Sequence, residues 1–434
     1  MRIVQLLILA GKYLKRYLRR YIFLLSALTF GFAVITVITS LQDGMYRAVY
    51  DAAQGHYAGD VLVVGFDNEA ETRFRITQTD EVLEGVRDAG LSPNRIVKRT
   101  QFGQEGVVYF HGTAVRHKYV IGVDWQNERE YFSGLDYVAG GPPQLSETTE
   151  DIFLSKPVAE ELQARVGDEV TLEVHTRTGQ KNTGSFIVRG IVDNSSIFGY
   201  YKSYVSRTAL NRLLRYEENA CSTIGLYFPG RGGLEQKTKA LQETLEGRIN
   251  MGPLMKSRDD INSTWATGKG IRHYVLTLDV YLSEVADLLN ALNLVGYFLY
   301  AMMLLIVLAS IFVTYKLILH ERAREIGTMR SLGFQTRDVV FVLVSETLML
   351  FAAAIILGLL LARAAAWGIS FIDFTWIPSF EIFMKEGRLS AQFLWGTIVA
   401  NIAILVLVLI PSVWIPAGRM ASGELPELLT GGNQ

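Results

Sequence analysis

Residues Lys316–Asp338, KLILHERAREIGTMRSLGFQTRD, decide how the rest of the chain is read. The stretch lies between two long apolar runs and carries five basic residues: Lys316, Arg322, Arg324, Arg330 and Arg337. A short basic loop between two membrane spans belongs on the cytoplasmic side. Ile326, Met329, Leu332 and Gly333 share one helical face, and the charges occupy the other. Gly333-Phe334 reads as a helix stop, and Thr336 as the cap of a new helix beginning at Arg337. These features predict a short amphipathic helix lying along the membrane with an exposed apolar edge. Such an edge needs a partner: lipid headgroups, the rest of the chain, or a soluble subunit below. The plainer reading is a solvated basic connector.

Outward from this stretch, the apolar residues of the 434-residue chain gather in blocks, which makes it a membrane protein with a soluble insert. The net charge of −1 gives no argument for nucleic acid. A single cysteine, Cys221, excludes an intrachain disulfide. Residues 1–20 combine six basic side chains with an apolar face of Ile3, Leu7, Ala10, Leu14, Tyr17 and Leu18. That suits a cytoplasmic, interfacial amphipathic helix rather than a signal peptide.

Residues 21–41 form the first span, about the 20 residues a bilayer core requires. The second is placed at 292–315, the third at 339–364 and the fourth at 393–415, with an outer loop at 365–392 and a cytoplasmic tail at 416–434. Ala354, Gly358, Ala362 and Ala366 put a small residue at every fourth position of the third span, which suits close helix packing. Glu346 also lies in that span, either as a proton or substrate site or as a buried polar contact to a neighbouring helix. In the outer loop, Trp367, Phe371, Trp376 and Phe380 suit an interfacial aromatic belt.

Residues 42–291 make an α+β extracytoplasmic domain with a stalk helix at each end. Short β-like runs recur in it, two helical runs interrupt them, and Gly140-Gly141-Pro142-Pro143 reads as a lobe boundary. Val275, Leu278, Leu282, Val285, Leu289 and Leu292 follow a 3-4 spacing that predicts a helical stalk running into the second span. The aromatic segment 197–201 is either a contact surface or a strand edge. No phosphate-binding loop, H-E-x-x-H or G-x-S-x-G motif occurs, so nothing supports a catalytic function for the chain. His111 and His117 have no carboxylate at ligand spacing, and no metal site is expected.

The wording of the central stretch goes further. Residues 321–333, ERAREIGTMRSLG, with Glu346 in the next span, resemble the signature ERxREIGxLRxxG of MacB/FtsX-type ABC transporter permeases. The resemblance implies a four-span α-helical membrane protein with a large α+β extracytoplasmic domain between helices 1 and 2. It implies that residues 316–338 are a coupling helix seated in a groove of a separate ATPase subunit. Glu321, Arg322, Arg324, Glu325, Ile326, Gly327, Met329, Arg330, Leu332 and Gly333 are then the coupling residues. ATP and Mg belong to the partner, with no cofactor in this chain. A second permease copy or paralogue, a periplasmic adaptor, lipoprotein cargo and membrane lipid are the other implied partners. The resemblance places the chain in the bacterial inner membrane with both termini cytoplasmic. A separate ATPase and a large insert are closest in layout to LolC/LolE-like permeases, which implies mechanotransmission for lipoprotein release or export of an amphiphile. The alternative is a signalling or scaffold protein of the FtsX kind that regulates an extracytoplasmic hydrolase.

Overall fold

Among the described residues, long runs of Leu, Ile, Val, Phe and Ala give four helices that are long and apolar enough to cross a membrane. The computed structural model describes residues 2–423, apart from 17, 71–73, 103–105, 118, 144–149, 194–201, 231, 257–259, 261–269, 375, 378–379 and 385–386. The aromatic segment 197–201 and the closing tail from 424 therefore lie outside the described residues.

The chain opens with α1 (Arg2–Arg16) and α2 (Ile22–Tyr57), followed by β1 (Val61–Asp67), α3 (Thr79–Asp88), β2 (Arg95–Phe102), β3 (Gly106–Phe110), β4 (Thr113–His117) and β5 (Tyr119–Val123). Next come α4 (Arg129–Ser133), β6 (Tyr137–Gly140), β7 (Asp151–Ser155), α5 (Lys156–Leu162), β8 (Glu169–His175), β9 (Lys181–Val192), β10 (Lys202–Ser206) and α6 (Arg207–Leu214). After β11 (Thr223–Tyr227), α7 (Leu234–Leu245) and β12 (Ile271–Thr277) stand α8 (Leu278–Tyr281), α9 (Ser283–Glu321), α10 (Ala323–Ser331), α11 (Thr336–Ile369) and α12 (Trp395–Ala421). Two units result: residues 1–48 with 289–434, and residues 49–288.

In the first unit, Ala354, Gly358, Ala362 and Ala366 are all buried along one face of α11. A methyl group at Gly358 would lie 2.8 Å from the Phe32 ring of α2, so only glycine allows this approach. Phe32 and Phe351 meet edge to face beside it. α9 buries Val307, Ile311, Tyr315, Ile318 and Leu319 and leaves most of its other described apolar side chains exposed. A helix that is apolar all round belongs in lipid or against another apolar surface. Leu6 and Ala10 of α1 pack against Val342 of α11, while Leu7 is exposed with Val4 and Ile8. α1 is apolar on two sides, so periodicity alone did not select which side packs.

In the second unit, the described strands form one sheet in the order β12-β1-β11-β2-β5-β10-β7-β9-β8-β3-β4, with β6 on β9. β2 divides it into two lobes. Arg95–Arg99 pair with β11, whereas Thr100–Phe102 pair with β5. Val61, Val63, Ile224 and Leu226 pack on Val82, Val86, Leu241 and Leu245 of α3 and α7 in one lobe. Phe102, Leu154, Val188 and Val205 pack with Val158, Leu162 and Leu210 of α5 and α6 in the other. The lobe boundary expected at Gly140–Pro143 is thus misplaced: β6 ends at Gly140 within the second lobe, and the change of lobe falls inside a strand.

The stalk is also corrected at its start. Val275 is not helical; it pairs with Val63 across β12 and β1, because Ile271–Thr277 is a β-branched and aromatic run with a strand to join. Leu278 and Leu282 are buried around the short α8, and Leu289 and Leu292 are half-buried in α9, which also contains Val285. His111 and His117 lie at opposite ends of the β3–β4 hairpin, His111 at its tip and His117 paired with Gly106 at its base, so they share no ligand position.

His117 is buried with Nε2 unpartnered and Nδ1 3.3 Å from the Val115 carbonyl, and burial lowers its pKa to about 4. Burial lowers His273 in the same direction. The unfolded ring takes up its proton near 6.5 and the folded ring resists until about 4, so acid favours the unfolded state. Stability should be complete above about pH 6.5 and fall toward pH 4, by roughly 3 kcal/mol for His117. Thermal unfolding of the wild type and of His117→Leu across that window tests this. Equal acid sensitivity in both would exclude His117 as a cause.

Candidate coupling site

The chain around Lys316–Asp338 folds as the local residues dictate. α9 continues through Glu321, bends at Arg322, and α10 follows from Ala323 to Ser331. Gly333, with φ +91°, ends α10 in a left-handed turn. The Phe334 amide donates to the Met329 carbonyl at 3.2 Å and the Gly333 amide to Arg330 at 3.1 Å, closing a Schellman motif. Gln335, not Thr336, caps α11. Its side chain and that of Asp338 exchange hydrogen bonds with each other's backbone, which leaves Thr336 as the first helical residue.

Arg322 has no exposed surface. Its Nη1 donates to Glu346 Oε2 and its Nη2 to Glu346 Oε1 at 3.3 Å. Nη1 also donates to the Tyr21 hydroxyl at 2.6 Å, which in turn donates to Glu346 Oε2 at 2.6 Å. Nε donates to Glu325 at 3.0 Å, and the guanidinium carbon lies 5.3 Å from the Tyr13 ring. One buried cation thereby joins the α9–α10 bend, α11 and the residue just before α2. The bidentate geometry is what a guanidinium offers and an ammonium does not.

Ile326 and Met329 are buried in the same core as Leu343, Leu350 and Ala417, and Gly327 is buried beside them. Arg330 reaches the other way. Its Nη1 donates to Thr336 Oγ1 at 3.0 Å and to the Ala421 carbonyl at the end of α12, where a cation also suits the helix dipole. The exposed apolar edge expected at Ile326, Met329 and Leu332 is therefore corrected to Leu332 alone, which is 75% exposed. The outward face of this segment carries Glu321, Arg324, Thr328, Ser331, Leu332 and Gly333, with Glu325 and Arg330 half-buried. Arg322, Ile326, Gly327 and Met329 face inward and hold the helix in place.

Two family models match this chain. The MacB-like periplasmic core domain matches residues 22–227, and the FtsX-like permease C-terminal domain matches residues 297–425, which include Arg322, Arg330 and Glu346. The chain belongs to the MacB/FtsX-type ABC transporter permeases. Among solved structures, the periplasmic region of MacB from Actinobacillus actinomycetemcomitans is similar at 10% identity and a TM-score of 0.32, over 54% of this chain and 96% of that one. A domain of a putative permease from Porphyromonas gingivalis is similar at 14% identity and a TM-score of 0.28, over 51% and 89%. Likeness at that level carries no weight of its own, and membership rests on the two family models. No curated protein matches.

In this permease, Glu346 is the buried polar contact between helices that was one of its two expected roles. Tyr21 was not legible as a member of the site. It follows a basic cluster and opens an apolar run, and nothing local announces a partner more than three hundred residues away. The matched family consists of permease-type membrane subunits, and in this chain the site fixes one helix and presents a rim.

Removing one member of a buried ion pair leaves the other charged and unpaired, at about 3–5 kcal/mol. Glu346→Gln in the purified permease should lower stability by that order, and Tyr21→Phe by about 1–2 kcal/mol. Arg322→Met combined with Glu346→Leu should recover much of the loss. Unfolding in detergent measures all of them. Additive losses in the double variant would mean that the pair is not coupled.

Proposed function

We propose that this permease couples ATP hydrolysis by a separate ATPase subunit, which binds ATP and Mg, to movement of the extracytoplasmic domain. The observation that carries this reading is the two-sidedness of α10. Its inner face is held by Arg322–Glu346, Arg330 and the core residues Ile326 and Met329, while Arg324, Thr328 and Leu332 are left outside. A helix anchored so firmly moves with the spans behind it rather than sliding over them. Force applied by an ATPase at Leu332 and Arg324 would reach α9 and α11 directly, and α2 and α9 would pass it outward.

On this reading both termini and α10 are cytoplasmic, and the protein sits in the bacterial inner membrane, in keeping with the basic residues beside the spans. The exposed apolar surface of α9 suits a second permease copy or paralogue, with lipid around it. Cargo is handled on the extracytoplasmic side, as lipoprotein release or as export of an amphiphile through a periplasmic adaptor.

The test is co-purification of the full-length chain with an ABC-type ATPase expressed beside it. Leu332→Asp and Arg324→Glu change only exposed side chains, so the permease should fold as the wild type and lose the ATPase. Retention of the ATPase by the combined variant would remove α10 as its docking element.

A further inference from the structure

At the end of α11 far from the coupling site, a groove of about 770 Å³ opens between the helix and the segment before α12. Two arginines line it, Arg363 from α11 and Arg388 from the loop, together with Trp367, Ser370, Gln392 and Phe393. Arg363 stands six residues before the end of α11, directly after the apolar run 348–362. Its guanidinium carbon lies 5.5 Å from the Phe393 ring. Arg388 is held by a backbone bridge to Asp373. Among the described residues, neither arginine takes part in an ion pair.

Two like charges facing one groove repel each other until an anion lies between them. A guanidinium so near a membrane span has one abundant source of anions, the phosphates of the lipid headgroups. The rest of the helix face points to the same ligand. Ile356, Leu360, Arg363 and Trp367 follow one another at spacings of four, three and four, so they form one stripe along α11. Ile356, Leu360 and Trp367 are 64%, 65% and 68% exposed. The stripe runs from aliphatic through cationic to aromatic, which is the order an anionic lipid presents from acyl chain to headgroup level. The serine hydroxyl of Ser370 and the amide of Gln392 line the same groove and supply neutral polar atoms beside the phosphate.

We propose that this groove binds the phosphodiester headgroup of an anionic phospholipid, with an acyl chain lying along Leu360 and Ile356. Arg363 and Arg388 hold the phosphate from two sides. Phe393 fixes the Arg363 guanidinium, and Trp367 sets the depth of the headgroup. The site lies apart from the α10 surface and stands whether or not an ATPase docks there.

Native mass spectrometry of the full-length chain in mild detergent, with phosphatidylglycerol or phosphatidylcholine added, tests the assignment. The wild type should retain phosphatidylglycerol in preference to phosphatidylcholine. Arg363→Gln with Arg388→Gln should weaken that retention on the order of tenfold or more. The double lysine variant should keep a large part of it. Arg337→Gln, a charge change at the opposite end of the same helix, should leave it unchanged, and thermal unfolding checks that each variant is folded. If the double glutamine variant does not fold, Arg388→Gln alone, a change on an exposed loop side chain, should still reduce retention. Equal retention by wild type and folded glutamine variants would overturn the proposal, as would equal retention of the two lipids. Displacement of the lipid by inorganic phosphate would assign the groove to a free anion and overturn the lipid reading.

Discussion

A guanidinium cannot give up its proton inside a protein, so once buried it dictates its surroundings. Arg322 sits where one helix ends and another begins, and its charge is met by Glu346 from α11 and Glu325 from α10, with the hydroxyl of Tyr21 just before α2 completing the contact. Those elements are brought together by apolar packing, but packing is non-directional and tolerates sliding. The bidentate pair does not. It fixes which turn of α11 lies against the bend, and therefore where α10 points. Ile326 and Met329 then fill the space beneath, and Arg330 ties the far end of α10 to the last carbonyls of α12.

The consequence for the family reading is a division of labour within one motif. In ERAREIGTMRSLG the first arginine, the isoleucine, the first glycine and the methionine are buried and hold the helix in place, while the second arginine, Thr328 and Leu332 are exposed. A motif of this kind constrains both the orientation of the helix and the surface it offers.

How much of this was legible in the sequence depended on range. The helix stop at Gly333 and the four membrane helices are local features, written in a glycine that tolerates positive φ and in runs of apolar side chains. The small-residue face of α11 was legible for the same reason. What required the fold were choices between equivalent local patterns. Val275 fits a 3-4 stripe and also an alternating strand, and only β1, some two hundred residues earlier, decides for the strand. Leu6 and Leu7 are equally apolar, and α11 decides which is covered. Arg322 reads as a surface charge until Glu346 and Tyr21 are placed beside it.

Strand β2 has an implication of its own. The two lobes of the extracytoplasmic domain are joined through an unbroken backbone, with Val97 and Arg99 buried on one side of Arg99–Thr100 and Thr100 and Phe102 on the other. Because side chains alternate along a strand, a single residue inserted there would turn Phe102 out of its core and shift the register of every pairing beyond it. The hairpins and loops of this domain can take up a change of length without shifting a register. The eight residues of β2 cannot, and their length is the fixed ruler against which the two lobes vary.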